Sequence, residues 1–315
     1  MSTPVALEFF VDHGQSGQTL AAVVRGALDG LPWTQARELC RYGKVRVNAV
    51  IEKDATRRVL KGDAVAIDPS APRRSRHVLD DDAVLYVDRQ VVVVNKPADL
   101  LSVPFNEGDK NTLIDRLRFW LRRKDGAHGA ELGAVQRLDK DTTGLLVFAR
   151  TLPAKRVLQE QFRKHTIERR YQALVHGVLG VERRIETHIV PNRGDGLRGS
   201  WERSRHKSEP VPAIAQRAIT HLRPLQALRG ATLLECQLET GRQHQIRIHL
   251  SELGHTLIGE QVYVREHSGK VIAATRPMLH AAVLGFEHPH TGKPMRFDRP
   301  PPSDFADKLS ELAGA

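Results

Sequence analysis

The sequence predicts an α+β protein with a mixed sheet, organised as two domains of unequal size. Three observations predict it. Amphipathic helical patterns and short β-rich runs are interleaved, but without the strict strand–helix alternation of a doubly wound fold. The chain has 315 residues, too many for one small module, and 40% are hydrophobic, enough for real cores. A stretch rich in Pro, Ser and Arg, Pro69 to Arg76, argues against a packed element there. These features place a small domain at 1–70, a basic linker at 71–83 and a large domain at 84–315.

The small domain reads as two helices followed by a small sheet. Thr19 to Gly30 carries apolar residues at helical spacing, and Pro32 interrupts it. A second helix opens at Pro32-Trp33-Thr34, with Thr34 placed to cap it, and stops at Gly43. Lys44 to Asn48 alternates as a short strand, and Asn48-Ala49 stands where a hairpin turn is expected. Gly62-Asp63 turns into a further strand, Ala64 to Ile67. Arg25, Arg37, Arg41, Lys44, Arg46, Arg57, Arg58 and Lys61 lace the module.

In the large domain, Val84 to Val87 and Val91 to Val94 are β-rich runs joined by Asp88-Arg89-Gln90. Pro97 ends the second run, since proline cannot continue a central ladder. Thr112 to Arg123 reads as an amphipathic helix, Gly144 to Ala149 as a strand, Leu152 to Lys164 as a helix and Arg170 to Val175 as a strand. Val190 to Pro212 is polar and basic with Gly and Pro, a loop. Thr232 to Leu238 is a strand. Gln245 to Gly254 fits a helix stopping at the glycine, though the alternation of Ile246, Ile248 and Leu250 equally allows a strand. Ser303 to Leu312 is a short closing helix.

Lys and Arg number 48 against 37 Asp and Glu, a formal net charge of +11. Such a surface attracts polyanions and releases counterions on binding them, so nucleic acid is the leading partner. A chain that is merely basic is the other reading. The two cysteines, Cys40 and Cys236, lie far apart among apolar neighbours. They read as small buried side chains in a reducing cytosol, not as a zinc knuckle or a disulfide framework. The start, MSTPVALEFF, lacks the cationic residues and long apolar run of a signal peptide. No apolar stretch approaches the ~20 residues that span a bilayer. The expected protein is cytoplasmic, without a membrane partner.

The stretch richest in chemistry is Gln136-Arg137-Leu138-Asp139-Lys140-Asp141-Thr142-Thr143-Gly144. It sets a polar turn with two carboxylates before an apolar strand. On residue chemistry alone, Asp139 is either a solvated or amide-capping turn residue or a functional carboxylate. His244 and His249 lie near Arg247, and His288-Pro289-His290 lies near the end. These clusters lack a third ligand at a convincing spacing, so no metal is expected. No Gly-rich phosphate loop is present, and no cofactor is expected either.

This stretch resembles the signature of the pseudouridine synthase family that includes the large-subunit ribosomal RNA enzymes. That pattern is an apolar residue, His, Arg, Leu, Asp, two variable residues, Thr, Ser, Gly and an apolar strand. Arg137-Leu138-Asp139 carry its core; Gln136 stands for the His and Thr143 for the Ser, both able to hydrogen-bond. Three further stretches resemble the family in the right order. They are Leu85 to Pro104, Glu168 to Val175 around Tyr171, and Leu238 to Leu250 around Arg247, the last followed by Gly259 to Tyr263. Thr34 to Ile67, chiefly Gly43 to Asn48 and Gly62-Asp63, resembles the S4 RNA-binding domain; an unrelated small basic module is the other reading.

The resemblance implies a largely antiparallel sheet in the large domain and a cofactor-free isomerisation of uridine in structured RNA. It makes Asp139 the essential carboxylate, acting as a nucleophile or by stabilising charge at ribose C1′. A carboxylate in a closed pocket keeps its charge only beside a cation, and Arg247 matches that partner. Tyr171 would stack on uracil and relay a proton, or is an ordinary core tyrosine. Arg137 would fill the stack vacated by an extruded uridine, or forms a structural salt bridge. Arg41, Lys44, Arg46, Arg242 and His244 are placed on the RNA. Loop residues Arg193, Arg198, Arg203, Arg205 and Lys207 are expected on its backbone. The S4-like module favours large-subunit ribosomal RNA over transfer RNA, and the enzyme is expected to act as a monomer. Two other classes compete: a non-catalytic RNA-binding or ribosome-assembly protein, and a hydrolase using Asp139 with Asp141.

Overall fold

The structure is a computed structural model that describes residues 6–52, 54–71, 79–125, 131–204, 208 and 210–314. Pro72 to Arg76 of the linker, residues 1–5, Arg205 and Lys207 lie outside the described residues. The chain forms two compact units, Met1–Val78 and Leu79–Ala315.

The first unit holds β1 (Leu7–Phe10), α1 (Leu20–Ala27), α2 (Trp33–Arg41), β2 (Val45–Val47), β3 (Val50–Ile51) and β4 (Ala64–Ile67). Its sheet runs β1-β4-β2-β3, antiparallel throughout. Thr19 caps α1 by accepting from the Ala22 amide. Asn48 and Ala49 both take positive φ, 53° and 66°, the turn geometry that matches the twist of a tight hairpin. Leu20, Val23 and Val24 of α1 and Ala36 and Cys40 of α2 bury against Val45, Val47, Val65 and Ile67. Two readings are corrected. A strand precedes the helices, and α2 starts one residue before Thr34, with Pro32 at its N-cap and no side-chain cap. Proline's fixed φ and missing N–H suit a helix start without a hydroxyl.

The second unit opens with a 3-10 turn, Asp81–Ala83. It continues through β5 (Val84–Val87), β6 (Val91–Lys96), α3 (Leu113–Asp125), β7 (Gly133–Ala134), β8 (Thr143–Ala149), α4 (Leu152–Arg163) and β9 (Glu168–His176). Then come β10 (Arg183–Val190), β11 (Gly199–Ser200), β12 (Gln216–Leu228), β13 (Ala231–Leu238), α5 (Gln245–Glu252), β14 (Leu279–Glu287), β15 (Pro294–Asp298) and α6 (Ser303–Ala313). Among the described residues the strands make one sheet, β11-β10-β12-β13-β9-β14-β8-β6-β5, with β15 on β14 and β7 on β8. Only β14 and β8 run parallel. The α+β class and the mixed, largely antiparallel sheet are therefore as expected.

Both faces are covered along β6 and β8, which is why these strands are near-continuous apolar runs. On one face Val92, Val94, Leu146, Phe148 and Cys236 pack against Leu113, Leu117 and Leu121 of α3 and Ile246 and Leu250 of α5. On the other, Val91, Val93, Leu145 and Val147 meet Ala154 and Leu158 of α4, and Leu174 and Ala231 meet Phe305 and Leu312 of α6. Each fully buried side chain of this kind contributes roughly 1.5–3 kcal/mol over leaving it exposed. The segment over Arg247 is a helix, with Ile246, Ile248 and Leu250 all buried. Six strands of this unit were not read from the sequence: the two-residue β7 and β11, the latter inside the stretch Val190 to Pro212 read as a loop, and β10, β12, β14 and β15. β10, β12 and β15 mix charged with apolar residues, and β12 carries Pro224 at a bulge. No helix of the described residues is long and apolar enough to cross a membrane.

Candidate active site

The turn before β8 is pinned residue by residue. The Ser102 hydroxyl donates to the Leu138 carbonyl at 2.8 Å and accepts from the Leu138 amide at 3.0 Å. The buried Lys96 ammonium at the end of β6 donates to the carbonyls of Lys140, Leu100 and Pro97 at 2.7, 2.8 and 2.9 Å. Its three protons are thus used, as a buried ammonium requires. Burial pushes its pKa down to about 7, with the charges of Asp141 and Asp139 opposing. Arg276 donates to the Asp141 carbonyl at 3.1 Å. The strand then leaves through Thr143, whose hydroxyl meets His280 Nδ1 at 2.8 Å, and Gly144. Gly144 has φ 116°, and a Cβ there would lie 2.2 Å from the Ala281 carbonyl oxygen, so no other residue fits.

With the backbone on either side tied down, the Asp139 side chain faces a cleft of about 390 Å³. Arg137, Asp139, Tyr171, Arg242, His244 and Arg247 all line it. Arg247 Nη1 lies 3.5 Å from Asp139 Oδ2, while its Nε and Nη2 each meet Glu260 at 2.7 Å. Glu260 Oε1 also accepts from the Val262 amide, so one carboxylate fixes both the guanidinium and the following loop. Burial would raise the Glu260 pKa, but Arg247 and these amides hold it below the usual glutamate range. Burial opposes the Arg247 charge; Glu260 and then Asp139 more than restore it.

His244 takes left-handed φ, 59°, at the start of α5. Its Nδ1 meets the Tyr263 hydroxyl at 2.7 Å, and its Nε2 lies 3.8 Å from Asp139 Oδ1. The loop that presents it is fastened by the buried Gln245, which accepts from Thr240 and Arg242 and donates to Ile219. Burial lowers the His244 pKa, with Asp139 pulling the other way. Arg247 also lies over the Tyr263 ring at 5.2 Å. Tyr171 is 7% exposed on β9. Burial pushes its hydroxyl up to about 12, so it holds its proton at neutral pH.

The structure thus brings together Asp139, Tyr171, Arg247, Arg137, Arg242 and His244. Arg137 is exposed, lines a second, adjoining cleft of about 560 Å³ as well, and pairs with no carboxylate among the described residues. Arg41, Lys44 and Arg46 belong to the first unit. Arg41 and Arg46 are exposed; Lys44 donates to the Pro69 carbonyl. Arg193 is not a surface cation: it is buried and paired with Asp195 at 3.0 Å and Glu252 at 3.7 Å. Lys96, Ser102 and Glu260 were missed as site residues. The signal for Lys96 was a lysine closing an apolar run; Glu260 differs little in sequence from any loop carboxylate. Among the described residues no group of three His, Cys, Asp or Glu is placed to hold a metal ion.

Comparison with known proteins points the same way. The pattern of the family described as RNA pseudouridylate synthase matches residues 90–252. A ribosomal large subunit pseudouridine synthase D of Zymomonas mobilis is 36% identical over 262 residues, covering 80% of each chain. The protein so described in Vibrio cholerae is 31% identical over 325 residues, covering 99% of this chain and 96% of that one. The solved structure of human RNA pseudouridylate synthase domain containing 4 shares the fold, with a TM-score of 0.59 and 24% identity over 73% of this chain and 93% of that one.

Proposed function

We propose, from the premise that this chain belongs to the RNA pseudouridylate synthase family, that it isomerises uridines of large-subunit ribosomal RNA at Asp139. The observation that carries this reading is the carboxylate of Asp139 in the cleft, flanked by Arg247 at 3.5 Å and His244 at 3.8 Å, with Tyr171 in the same wall. In the reaction the bond from uracil N1 to ribose C1′ breaks and one from C5 to C1′ forms. The C5 proton leaves and N1 takes one up, so nothing is oxidised or hydrolysed.

Asp139 acts at C1′ as a nucleophile or as a fixed negative charge, and either role needs it ionised. Arg247 supplies the counter-charge, and Glu260 keeps that guanidinium from swinging away. Tyr171 stacks on the uracil, and its protonated hydroxyl receives the C5 proton as it passes its own on. Arg137, free of any carboxylate among the described residues, fills the gap left by the extruded base. Arg41, Arg46 and Arg242 contact RNA phosphates, as does Lys44 when it leaves Pro69. The named activity of the Zymomonas mobilis and Vibrio cholerae relatives supports the ribosomal substrate, and with it a cytoplasmic place of action.

Asp139→Ala tests the reading. The variant is expected to bind RNA and make no pseudouridine in a tritium-release assay. Full activity in that variant would remove Asp139 from the chemistry. Mapping pseudouridines in total RNA with and without the gene identifies the site. A missing modification in transfer RNA alone would overturn the ribosomal assignment. An unchanged map with defective large subunits would favour an assembly role instead.

A further inference from the structure

Arg169 lies on β9 two residues before Tyr171, on the same cleft face. It is 7% exposed, and two other arginines among the described residues are buried as deeply, Arg193 and Arg276. Each of those is neutralised: Arg193 by Asp195 and Glu252, and Arg276 by Asp304 at 2.6 Å. Arg169 has no carboxylate partner among the described residues. Its Nη2 donates to the Glu239 carbonyl at 2.8 Å, and its guanidinium sits 5.4 Å from the centre of the Phe162 ring. Its buried Nε has no hydrogen-bond partner.

A buried charge without a counter-charge is strongly unfavourable, so a fold that keeps one needs a reason. Burial already drives the Arg169 pKa down, and the neighbouring Arg242 adds to that. Arg242 is likewise unpaired with any carboxylate among the described residues; its Nε donates to the Arg217 carbonyl at 2.9 Å. The backbone also makes room for Arg169. A Cβ at Gly241 would lie 2.5 Å from Arg169 Nη1. Two guanidiniums therefore share one cleft wall, and among the described residues neither is paired with a carboxylate.

We propose that Arg169, with Arg242 beside it, seats one phosphodiester of the RNA next to the extruded uridine, and that the RNA supplies the missing counter-charge. Arg169 Nη2 is tied to the Glu239 and Leu238 carbonyls, while Nη1 has no hydrogen-bond partner among the described residues, and a guanidinium N–H is a strong donor to a phosphate oxygen. The inference rests on the cleft being the isomerisation site.

The test uses the full chain on an Asp139→Ala background, so that binding is read without turnover. Arg169→Met keeps the apolar stem and removes the charge. Its thermal midpoint without RNA should equal or exceed that of its parent, because an uncompensated cation is gone. Its affinity for transcribed large-subunit ribosomal RNA should fall, and the slope of log affinity against log salt should become shallower by about 0.7–0.9, one phosphate contact. An unchanged slope overturns the proposal. So does a lowered midpoint with an unchanged slope, which is what a tie to the Glu239 carbonyl alone predicts. A second measurement does not depend on that variant folding. In a stem-loop around the mapped uridine, the phosphates are replaced one at a time by neutral methylphosphonate. One linkage beside the uridine should weaken binding by the Asp139→Ala protein; if none does, the seat is not there. Retained activity in Asp139→Ala would instead sink the reading of the cleft and leave these binding results to stand or fall alone.

Discussion

The two faces of β9 carry the same residue type to opposite ends. Arg169 and Tyr171 point into the cleft, while Arg170, between them in sequence, points to the other side of the sheet. There Arg170 joins a ladder of exposed and half-buried charges. It meets Glu168 at 2.8 Å and Glu235 at 3.5 Å, Glu235 meets Arg223 at 2.9 Å, and Glu186 pairs with both Arg184 and Arg217 at 2.6 Å. With Glu239 4.0 Å from Arg184, four arginines meet four glutamates, so the ladder has little left to offer a polyanion. The cleft face is unbalanced: one guanidinium is shared between Asp139 and Glu260, and Arg137, Arg169 and Arg242 have no carboxylate among the described residues. Net charge alone does not place RNA on the molecule; the proposed seat on the cleft face follows from its unpaired charge.

That contrast can be broken at its deepest point. Arg247 and Glu260 are a nearly buried pair, their side chains 12% and 1% exposed. Glu260→Ala strands the guanidinium and is expected to lower stability in urea unfolding by about 3–5 kcal/mol and to abolish activity. A variant as stable and active as the parent would show that Arg247 needs no partner. A smaller effect comes from pH. Burial brings both His249 and His280 from an ordinary 6.5 down to about 4, so the folded state keeps them neutral while the unfolded chain protonates. Their stabilisation is complete above pH 6.5 and is lost as the pH falls toward 4. Glu252, whose pKa burial raises, works in the opposite direction. The urea midpoint should therefore be lower at pH 5 than at pH 7; equal midpoints would contradict the assignment. The smallest effect belongs to the ladder. Arg223→Ala and Arg217→Ala each remove an exposed pair, and each should change stability by under about 1 kcal/mol with RNA affinity and turnover unmoved. A large loss of RNA binding in either would mean that the ladder face, too, meets RNA.

Much of the site was legible because its chemistry is local. Arg137, Leu138 and Asp139 adjoin a glycine that has to be a glycine, and Gly144 takes φ 116° against the Ala281 carbonyl. Tyr171 and Arg247 were nameable only because the stretches around them resemble a family; by residue chemistry alone Tyr171 was equally an ordinary core tyrosine. Less was visible where the meaning depends on a partner far along the chain. Glu260 reads as a loop carboxylate until it meets Arg247. Arg169 and Arg170 are indistinguishable in a string of letters, and strand alternation says only that they face opposite ways. Which way is in, and which side holds the glutamates, depends on β13 and β12 lying next to β9.

Resemblance to a family singled out Asp139, whose turn alone left its role open. By itself the amino-acid sequence determined the α+β class, helices read at Thr112 to Arg123 and Leu152 to Lys164 that form over Leu113–Asp125 and Leu152–Arg163, and the apolar runs of β6 and β8. These follow from periodicity, turn residues and burial tendencies within a few neighbours. Only the tertiary structure decided which charges are paired. Pairing is a distance between residues such as Arg247 and Asp139, 108 positions apart, and short-range pattern holds no record of it.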